Sequence, residues 1–484
     1  MLNISKKTKI VATIGPASDT YEMLLSLLKA GMNVMRLNFS HGDYAGHLAK
    51  IELARRLEKD TGIYIPVMLD TRGPEIRLGL LENDAIDIPK GHTLTISMEP
   101  VLGNLERISV TYSGLFDDVK LGDHLKIDDG NLDFEIIKKN HQTRELLVIA
   151  LNAHRLKSRK GVNAPFARLS MPFISKKDEE DLAFGVAHKV DYIAASFTRR
   201  PQDVIDIKET IKRLGGQPIP IIAKIENPEG VENLEAILGV ADGIMVARGD
   251  LGVEIPAERV PIVQKHIVAM CRRVGKPVIT ATQMLDSMQT HPRPTRAEVS
   301  DVANAIIEST DAIMLSAESA SGTYPLEAVT MQSKIATTME CELDYGKLAL
   351  EAYESSQKIN SDAIANSVAN TALLIDAALI VCFTETGNAV RRISKARPVC
   401  PIIAISDSRK TVLELGLVWG AYAFLAPHLP QLIEDMEVLA LLKARQLGLA
   451  PGSTIILTGG VPTGAGKTNF MKILTLNKLR GETL

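Results

Sequence analysis

Several apolar runs in this chain end in polar residues, where a buried strand should simply turn. In "MRLNFSHG", Arg36, Asn38 and Ser40 stand at i, i+2 and i+4, one face of an extended segment. "MLDTRG" ends in Asp70 and Thr71, and "AKIEN" puts Lys224 and Glu226 on one face. "MVARGDLG" ends in Arg248, Gly249 and Asp250, "ITATQM" offers Thr280 and Thr282, and "MLSAES" offers Ser316 and Glu318. Each has an ordinary explanation on its own. A Lys-x-Glu pair is usually a surface ion pair, Arg-Gly-Asp is usually a turn, and Asn or Ser before His41-Gly42 usually caps a helix. All of these holding together, at successive strand ends, is a poorer account than one shared site.

The residue types define a chemistry. Glu226 and Asp250 are two carboxylates suited to a hard divalent cation such as Mg2+, with positions left for substrate oxygens. Lys224 and Arg36 can offset charge on a moving phosphoryl group. Asn38, Ser40, Asp70 and Thr71 supply oxygens with one formal charge among them, which suits a monovalent cation better than Mg2+. The "RGDLG" turn frees backbone N–H groups for a small carboxylate. No His or Cys cluster has zinc spacing. Together these describe phosphoryl transfer involving a small anionic metabolite.

These residues need a frame that brings strand ends together. Eight short β-branched runs, "KIVATIG", "NVMRLNF", "IPVMLD", "DYIAASF", "IPIIAKI", "DGIMVAR", "KPVITAT" and "DAIMLSA", alternate with amphipathic helical stretches such as "TYEMLLSLLKAG". Apolar strands alternating with helices imply a parallel sheet covered by helices, and eight units imply a closed (β/α)8 TIM barrel, whose strand ends meet at one mouth. The alternation breaks after "MLD". From 71 to 167 short strands and turn signals dominate, so an all-β domain is expected as an insertion at the barrel rim, with barrel segments 1–70 and 168–345 on either side. A polar helical connector follows, and residues 346–484 are expected to form a C-terminal α/β domain. The fold class is therefore α/β.

The chain has 484 residues, 45% of them apolar, enough for about two to four domains. With 55 basic and 58 acidic residues the net charge is −3, which argues against nucleic-acid or membrane-surface binding. No apolar run is long enough to span a bilayer. "MLNISKKTKI" lacks a signal-peptide core, and Cys271, Cys341, Cys382 and Cys400 are scattered, as expected of reduced thiols in a cytoplasmic protein.

"TGGVPTGAGKTN" near the C-terminus looks like a nucleotide phosphate loop. The spacing fails: the first glycine should fall at 461, which is Val461. The following "NFMKILTLNKL" reads as a strand, whereas a phosphate loop must open a helix. A Gly-rich hairpin, or a loop that grips phosphate without hydrolysing it, remains.

At this point "KTKIVATIGPAS", "MRLNFSHG", "DTRGPEIR", "KGVN", "AKIEN", "DGIMVARGDLGVE", "ITATQMLDSM", "PTRAEVSDVANAI" and "IMLSAESA" resemble the pyruvate kinase family over nearly the whole chain. The resemblance implies transfer of a phosphoryl group from phosphoenolpyruvate to ADP, giving pyruvate and ATP in glycolysis, with Mg2+ (or Mn2+) and K+ as cofactors. It implies that Arg36 contacts substrate phosphate and that Lys224 stabilises the transferring phosphoryl. Gly249, Asp250 and Thr282 would contact the substrate, with Thr282 near the carbon that gains a proton. Glu226 and Asp250 would hold Mg2+, and Asn38, Ser40, Asp70 and Thr71 would hold K+. Asn38, His41, Arg77 and Lys160 would contact nucleotide, Lys160 from the β domain acting as a lid. A homotetramer is also implied.

Two departures bear on this. Arg72 stands where the family usually has Lys. Glu75 is the type that accompanies K+ dependence. The family's C-terminal domain holds a phosphorylated sugar or nucleotide effector, usually on a Thr-x-Ser-Gly-x-Ser/Thr loop. Here the loop reads "TETGNA", with Thr384, Thr386, Gly387 and Asn388 retained as candidates, but Ala389 in place of a hydroxyl and an added Glu385. Fructose 1,6-bisphosphate fits that loop poorly; a monophosphate fits better. Gly464, Lys467 and Thr468 would form the opposite wall, so that Lys467→Ala should abolish the effector response. Two other readings stand beside this one: a Mg2+-dependent lyase or aldolase acting on pyruvate enolate, and a non-catalytic phosphometabolite sensor.

Overall fold

The computed structural model describes residues 4–165, 167–462, 464 and 468–477. All eight expected strands close into one parallel barrel: Lys9–Thr13, Val34–Asn38, Val67–Asp70, Tyr192–Ala195, Ile221–Ile225, Gly243–Ala247, Val278–Ala281 and Ala312–Leu315. Every residue in seven of these strands is buried, and in the second only Asn38, at its C-terminal end, is partly open. Helices cover the outer face and the barrel's own side chains fill the inner one, which is why the strands read as unbroken apolar runs. The interior is packed by Val11, Val34, Met68, Ile222, Met245 and Ile279.

The helices start where the sequence supplies caps. Thr20 accepts from Met23 N before the helix Tyr21–Ala30. Ser175 with Asp178, and Thr295 with Glu298, form capping boxes before Lys176–Ala187 and Arg296–Ile307. Asp43 caps Tyr44–Thr61 by accepting from Gly46 N. Asn38 and Ser40 are thereby relieved of the capping role that would be their commonest use.

Between the third and fourth barrel strands the chain builds a seven-stranded sheet and a two-stranded sheet, with a separate core around Ile96, Leu125, Phe134 and Val148. This inserted β domain reaches back to the barrel mouth. Lys126 Nζ donates to Val253 O at 2.7 Å, and Asn163 Nδ2 to Glu254 Oε1 at 2.6 Å.

The C-terminal domain is a five-stranded sheet in which Ala421–Leu425, Ile402–Ser406, Leu379–Phe383 and Thr454–Gly459 run parallel and Phe470–Thr475 returns antiparallel. It plugs the N-terminal end of the barrel. Tyr192 OH donates to Glu414 O at 2.6 Å, Arg397 pairs with Asp311 at 2.9 Å, and Leu417 joins the barrel-interior core. A Cβ on Gly416 would lie 2.4 Å from Pro66 Cγ, so only glycine permits that approach. Among the described residues no helix is long and apolar enough to cross a membrane.

Candidate active site

The polar strand ends converge at the C-terminal mouth and bond to one another. Register places Asn38 opposite Asp70, and Asp70 opposite Ala194. Arg36 Nε lies 2.6 Å from Asp70 Oδ2, and its Nη1 donates to Thr13 Oγ1 at 2.8 Å. Lys224 Nζ lies 3.1 Å from Asp70 Oδ1 and 3.0 Å from Glu226 Oε1, and donates to Ser196 Oγ at 2.7 Å. Ser196 in turn donates to Thr71 O at 2.6 Å. Two cations and two carboxylates thus share a volume from which water is largely excluded.

Burial and charge act against each other here. Burial works to raise the Asp70 carboxyl, but the Arg36 guanidinium and the Lys224 ammonium outweigh it and hold Asp70 below its ordinary range. Burial also works to lower Lys224, yet Asp70 and Glu226 win, so Lys224 stays an ammonium. Glu226 is pushed up to about 7, first by burial and then by Asp250. Asp250 is raised as well, mainly by burial, with further repulsion from Asp129 and Glu75. Glu226 Oε2 accepts from Phe197 N at 2.5 Å, whereas Oε1 is buried without an aligned donor. A buried carboxylate oxygen that has the Lys224 ion pair but no hydrogen bond, beside a second destabilised acid, is a donor set that a divalent cation would satisfy. No three His, Cys, Asp or Glu side chains form a metal cage among the described residues.

Thr282 sits at φ 66, a left-handed conformation rarely taken by a β-branched residue. It is held there by Arg248, which donates to Thr282 O at 2.8 Å and pairs with Asp301 at 2.7 Å. Gly249 N donates to Thr282 Oγ1 at 2.7 Å, tying the short helix Arg248–Glu254 to this hydroxyl. Backbone strain held in place by neighbours is common at reacting centres.

The nucleotide candidates lie around the rim. His41 is exposed beyond the second strand. Arg77 and Lys160 are neighbours on the β domain, because Gly161 pairs with Arg77. Arg77 Nε donates to Glu75 at 2.8 Å, and Arg72 pairs with the same carboxylate at 3.1 Å. Lys160 pairs with Asp128 at 2.8 Å, and His154 Nε2 reaches the other Asp128 oxygen, also at 2.8 Å. Of the monovalent-cation candidates, Asn38 Oδ1 accepts from Ser40 N at 3.2 Å and Thr71 Oγ1 donates weakly to Ala194 O at 3.3 Å.

Not every polar strand end faces the mouth. Thr280 bonds Thr310 at 3.0 Å inside the wall, and Glu318 braces loops through Ser316 N and Leu285 N. Sequence reasoning missed Ser196, Thr13 and Phe197. Ser196 ends "DYIAAS" as a polar residue and carried the same signal as the others. Thr13 is the last residue of the first barrel strand and carried it too.

In the C-terminal domain, "TETGNA" and the Gly-rich loop do face each other. Thr384, Thr386 and Asn388 line a cavity of about 80 Å3 with Gly460, Gly464 and Thr468. Thr384 Oγ1 already accepts from Gly387 N at 2.9 Å, so it shapes its own loop, and Gly387 sits at φ 79 before the helix Asn388–Lys395. Arg392 also lines this cavity and was not among the sequence candidates. The Gly-rich loop joins two antiparallel strands and is closed by Asn469, which exchanges hydrogen bonds with Val461 at 3.1 and 2.8 Å. It opens no helix. Lys467 lies outside the described residues.

A (β/α)8 barrel whose mouth gathers a buried lysine, an arginine and paired carboxylates beside an inserted β domain is the frame of a phosphotransferase. Residues 5–329 match "Pyruvate kinase, barrel domain", and residues 362–474 match "Pyruvate kinase, alpha/beta domain". The chain is 48% identical to a pyruvate kinase of Geobacillus stearothermophilus over 98% of its own length and 81% of the relative's. It is 46% identical to that of Staphylococcus aureus strain MRSA252 over 97% and 80%. A crystal structure of a pyruvate kinase from Cryptosporidium parvum superposes with a TM-score of 0.91 at 38% identity, covering 98% of this chain and 96% of the other. The chain belongs to the pyruvate kinase family, whose enzymes use a divalent metal.

Proposed function

We propose that the barrel mouth transfers the phosphoryl group of phosphoenolpyruvate to ADP, in glycolysis and in the cytoplasm. The P–O bond to the enol oxygen breaks, a bond forms to the terminal phosphate oxygen of ADP, and the pyruvate enolate takes up a proton at carbon. Arg36 and Lys224 meet the negative charge of the phosphoryl group in flight, and both are pre-aligned by Asp70. Thr282, fixed in orientation by Gly249 N, lies beside the carbon that is protonated. Glu226 and Asp250 are the residues that would hold Mg2+ or Mn2+, which when bound supplies Lewis-acid stabilisation of the substrate oxygens. Asn38, Ser40, Asp70 and Thr71 are the K+ set, and Glu75 makes the enzyme K+-dependent. His41, Arg77 and Lys160 contact nucleotide as the β domain (residues 71–167) closes and excludes water. Residues 1–70 and 168–345 form the catalytic barrel. Residues 346–484 regulate it through a phosphorylated effector held at Thr384, Thr386, Gly387, Asn388, Gly464, Lys467 and Thr468. The working unit is a homotetramer.

The buried Lys224–Asp70–Arg36–Glu226 constellation supports this reading most directly. A coupled assay for pyruvate and ATP, run with and without K+, tests it. ATP formation that is equally fast without K+ removes the monovalent site from the scheme, and no ATP formation at all removes the reaction.

A further inference from the structure

We propose that the cleft between the N-terminal end of the barrel and the C-terminal domain is a second anion site, separate from the mouth and adjoining the effector cavity across a shared loop. It takes a phosphorylated metabolite with an apolar body. The cleft is large, about 1380 Å3, and its lining carries eight lysine and arginine side chains against four carboxylates. The chain as a whole has a net charge of −3, so this surface runs against the molecule's overall sign.

The excess is concentrated where two helix C-termini meet. Arg273 lies in the last turn of Val260–Val274, and Arg392 and Lys395 lie in the last turn of Asn388–Lys395. Lys276 follows the first helix after its capping residue Gly275. Cations at helix C-termini have an ordinary role in offsetting the helix dipole, but each terminus is worth only about half a negative charge. Two termini therefore account for about one of these four cations. Asp362 pairs with Arg392 and accounts for another. Among the described residues no carboxylate pairs with Arg273, Lys276 or Lys395; Lys276 and Lys395 donate only to backbone carbonyls. The helices approach so closely that a Cβ on Gly275 would lie 3.7 Å from Lys395 Cδ. Arg392 and Arg273 both repel the Lys395 ammonium, and cations gathered in a cleft walled on one side by protein of low dielectric form a focused positive field.

The opposite requirement is visible beside it. Pro218, Ile219, Met270 and Val274 line the same cleft, and Val274 is 56% exposed. An apolar wall next to unpaired cations fits a ring or chain carrying a phosphate, rather than inorganic phosphate alone. Thr386, Asn388 and Arg392 line both this cleft and the small effector cavity, so the two sites share one loop and helix start.

The test uses the full chain and two probes, 1-naphthyl phosphate and inorganic phosphate, titrated by fluorescence or calorimetry. Naphthyl phosphate should bind at least tenfold more tightly than inorganic phosphate. Arg273→Ala/Lys395→Ala should weaken it at least tenfold and leave turnover within twofold, because the cleft lies at the barrel end away from Lys224. Arg273 is exposed, so Arg273→Glu serves as a second variant if the double change impairs folding, with the same loss expected. Unchanged affinity in these variants overturns the proposal. So does equal binding of the two probes. Loss of binding in Lys224→Met would place the probe at the mouth, and loss in Thr468→Val, a residue that lines only the small cavity, would place it in the effector cavity; either result also overturns it. None of these outcomes depends on whether the mouth performs the transfer proposed above.

Discussion

The mouth of the barrel and the small cavity of the C-terminal domain, both proposed above to meet phosphate, are made differently. At the mouth the polar side chains are buried and bonded to each other before any substrate arrives: Arg36 and Lys224 share Asp70, and Ser196 links Lys224 to Thr71. The C-terminal cavity is instead walled by loops, shaped by Gly387 and by a hairpin that Asn469 closes. A network of buried charges fails as a unit when one member is removed. A glycine-shaped loop fails by changing shape. The first should govern turnover, and the second should govern only its control.

The largest expected effect follows from Lys224→Met. It removes the cation that meets the transferring phosphoryl and leaves Asp70 and Glu226 less compensated. Loss of one preorganised electrostatic group costs roughly 10²–10³-fold in kcat, and a stranded buried charge costs about 3–5 kcal/mol of stability. Steady-state rates and thermal unfolding separate the two. Turnover within tenfold of the parent would show that Lys224 does not perform the role assigned to it.

Ser196→Ala is the next step down. Its hydroxyl touches Lys224 and Thr71 and acts by holding Lys224 in place, so kcat should fall about 10-fold while KM for ADP stays within twofold; a net hydrogen bond to a charged group is worth about 1.5–3 kcal/mol. Ser196→Thr, which keeps the hydroxyl, should recover part of the rate. A fall in ADP affinity with kcat intact would instead put Ser196 at the nucleotide.

Gly387→Ala tests the other region. At φ 79 an added Cβ costs about 1–2 kcal/mol, and it would also lie 2.9 Å from Arg391 Nη1. The effector response should disappear with basal turnover within twofold. Loss of basal turnover would mean that the loop supports catalysis directly and that the two regions are less separate than their construction suggests.

What could be read from the sequence follows the same division. The eight barrel strands were legible because burial on both faces leaves an unbroken apolar run, and Arg36, Asp70, Lys224 and Glu226 were legible because a polar residue at the end of such a run needs a reason. Ser196 carried that signal but no charge, and it drew no notice. Thr13 also closes its strand with a polar residue, but the apolar Ile14 follows it in "KIVATIG" and masks the strand end; the guanidinium that reaches it shows its role. Thr280 and Glu318 carried the signal and proved structural, because period alone does not say which strand-end groups find partners within the wall. The hairpin after Gly459 was legible from the failed glycine spacing. Arg392 and the basic cleft were not, since they join helices more than a hundred residues apart in the chain, Val260–Val274 and Asn388–Lys395.

The smallest expected effect concerns the link between the β domain and the mouth. Glu254 accepts from Asn163 at 2.6 Å, and its carboxyl is pushed up to about 7, first by burial, against the opposing pull of Asn163 and Lys126. An acid raised on folding favours the protonated form in the folded, closed arrangement. The closed arrangement is therefore most stable below the ordinary Glu range, near pH 4.5, and loses stability as pH rises toward 7, above which the loss is complete. Glu254→Gln keeps the hydrogen bond from Asn163 but cannot ionise, so it should flatten this dependence between pH 4.5 and 7. Hydrogen exchange of the strand Gly161–Asn163, followed across that range, reads it directly. In the parent, protection should fall as pH rises, after correction for the intrinsic exchange rate; in the variant it should stay level. If both behave alike, closure is set by Lys126 and its bond to Val253 O, and Glu254 titrates without consequence.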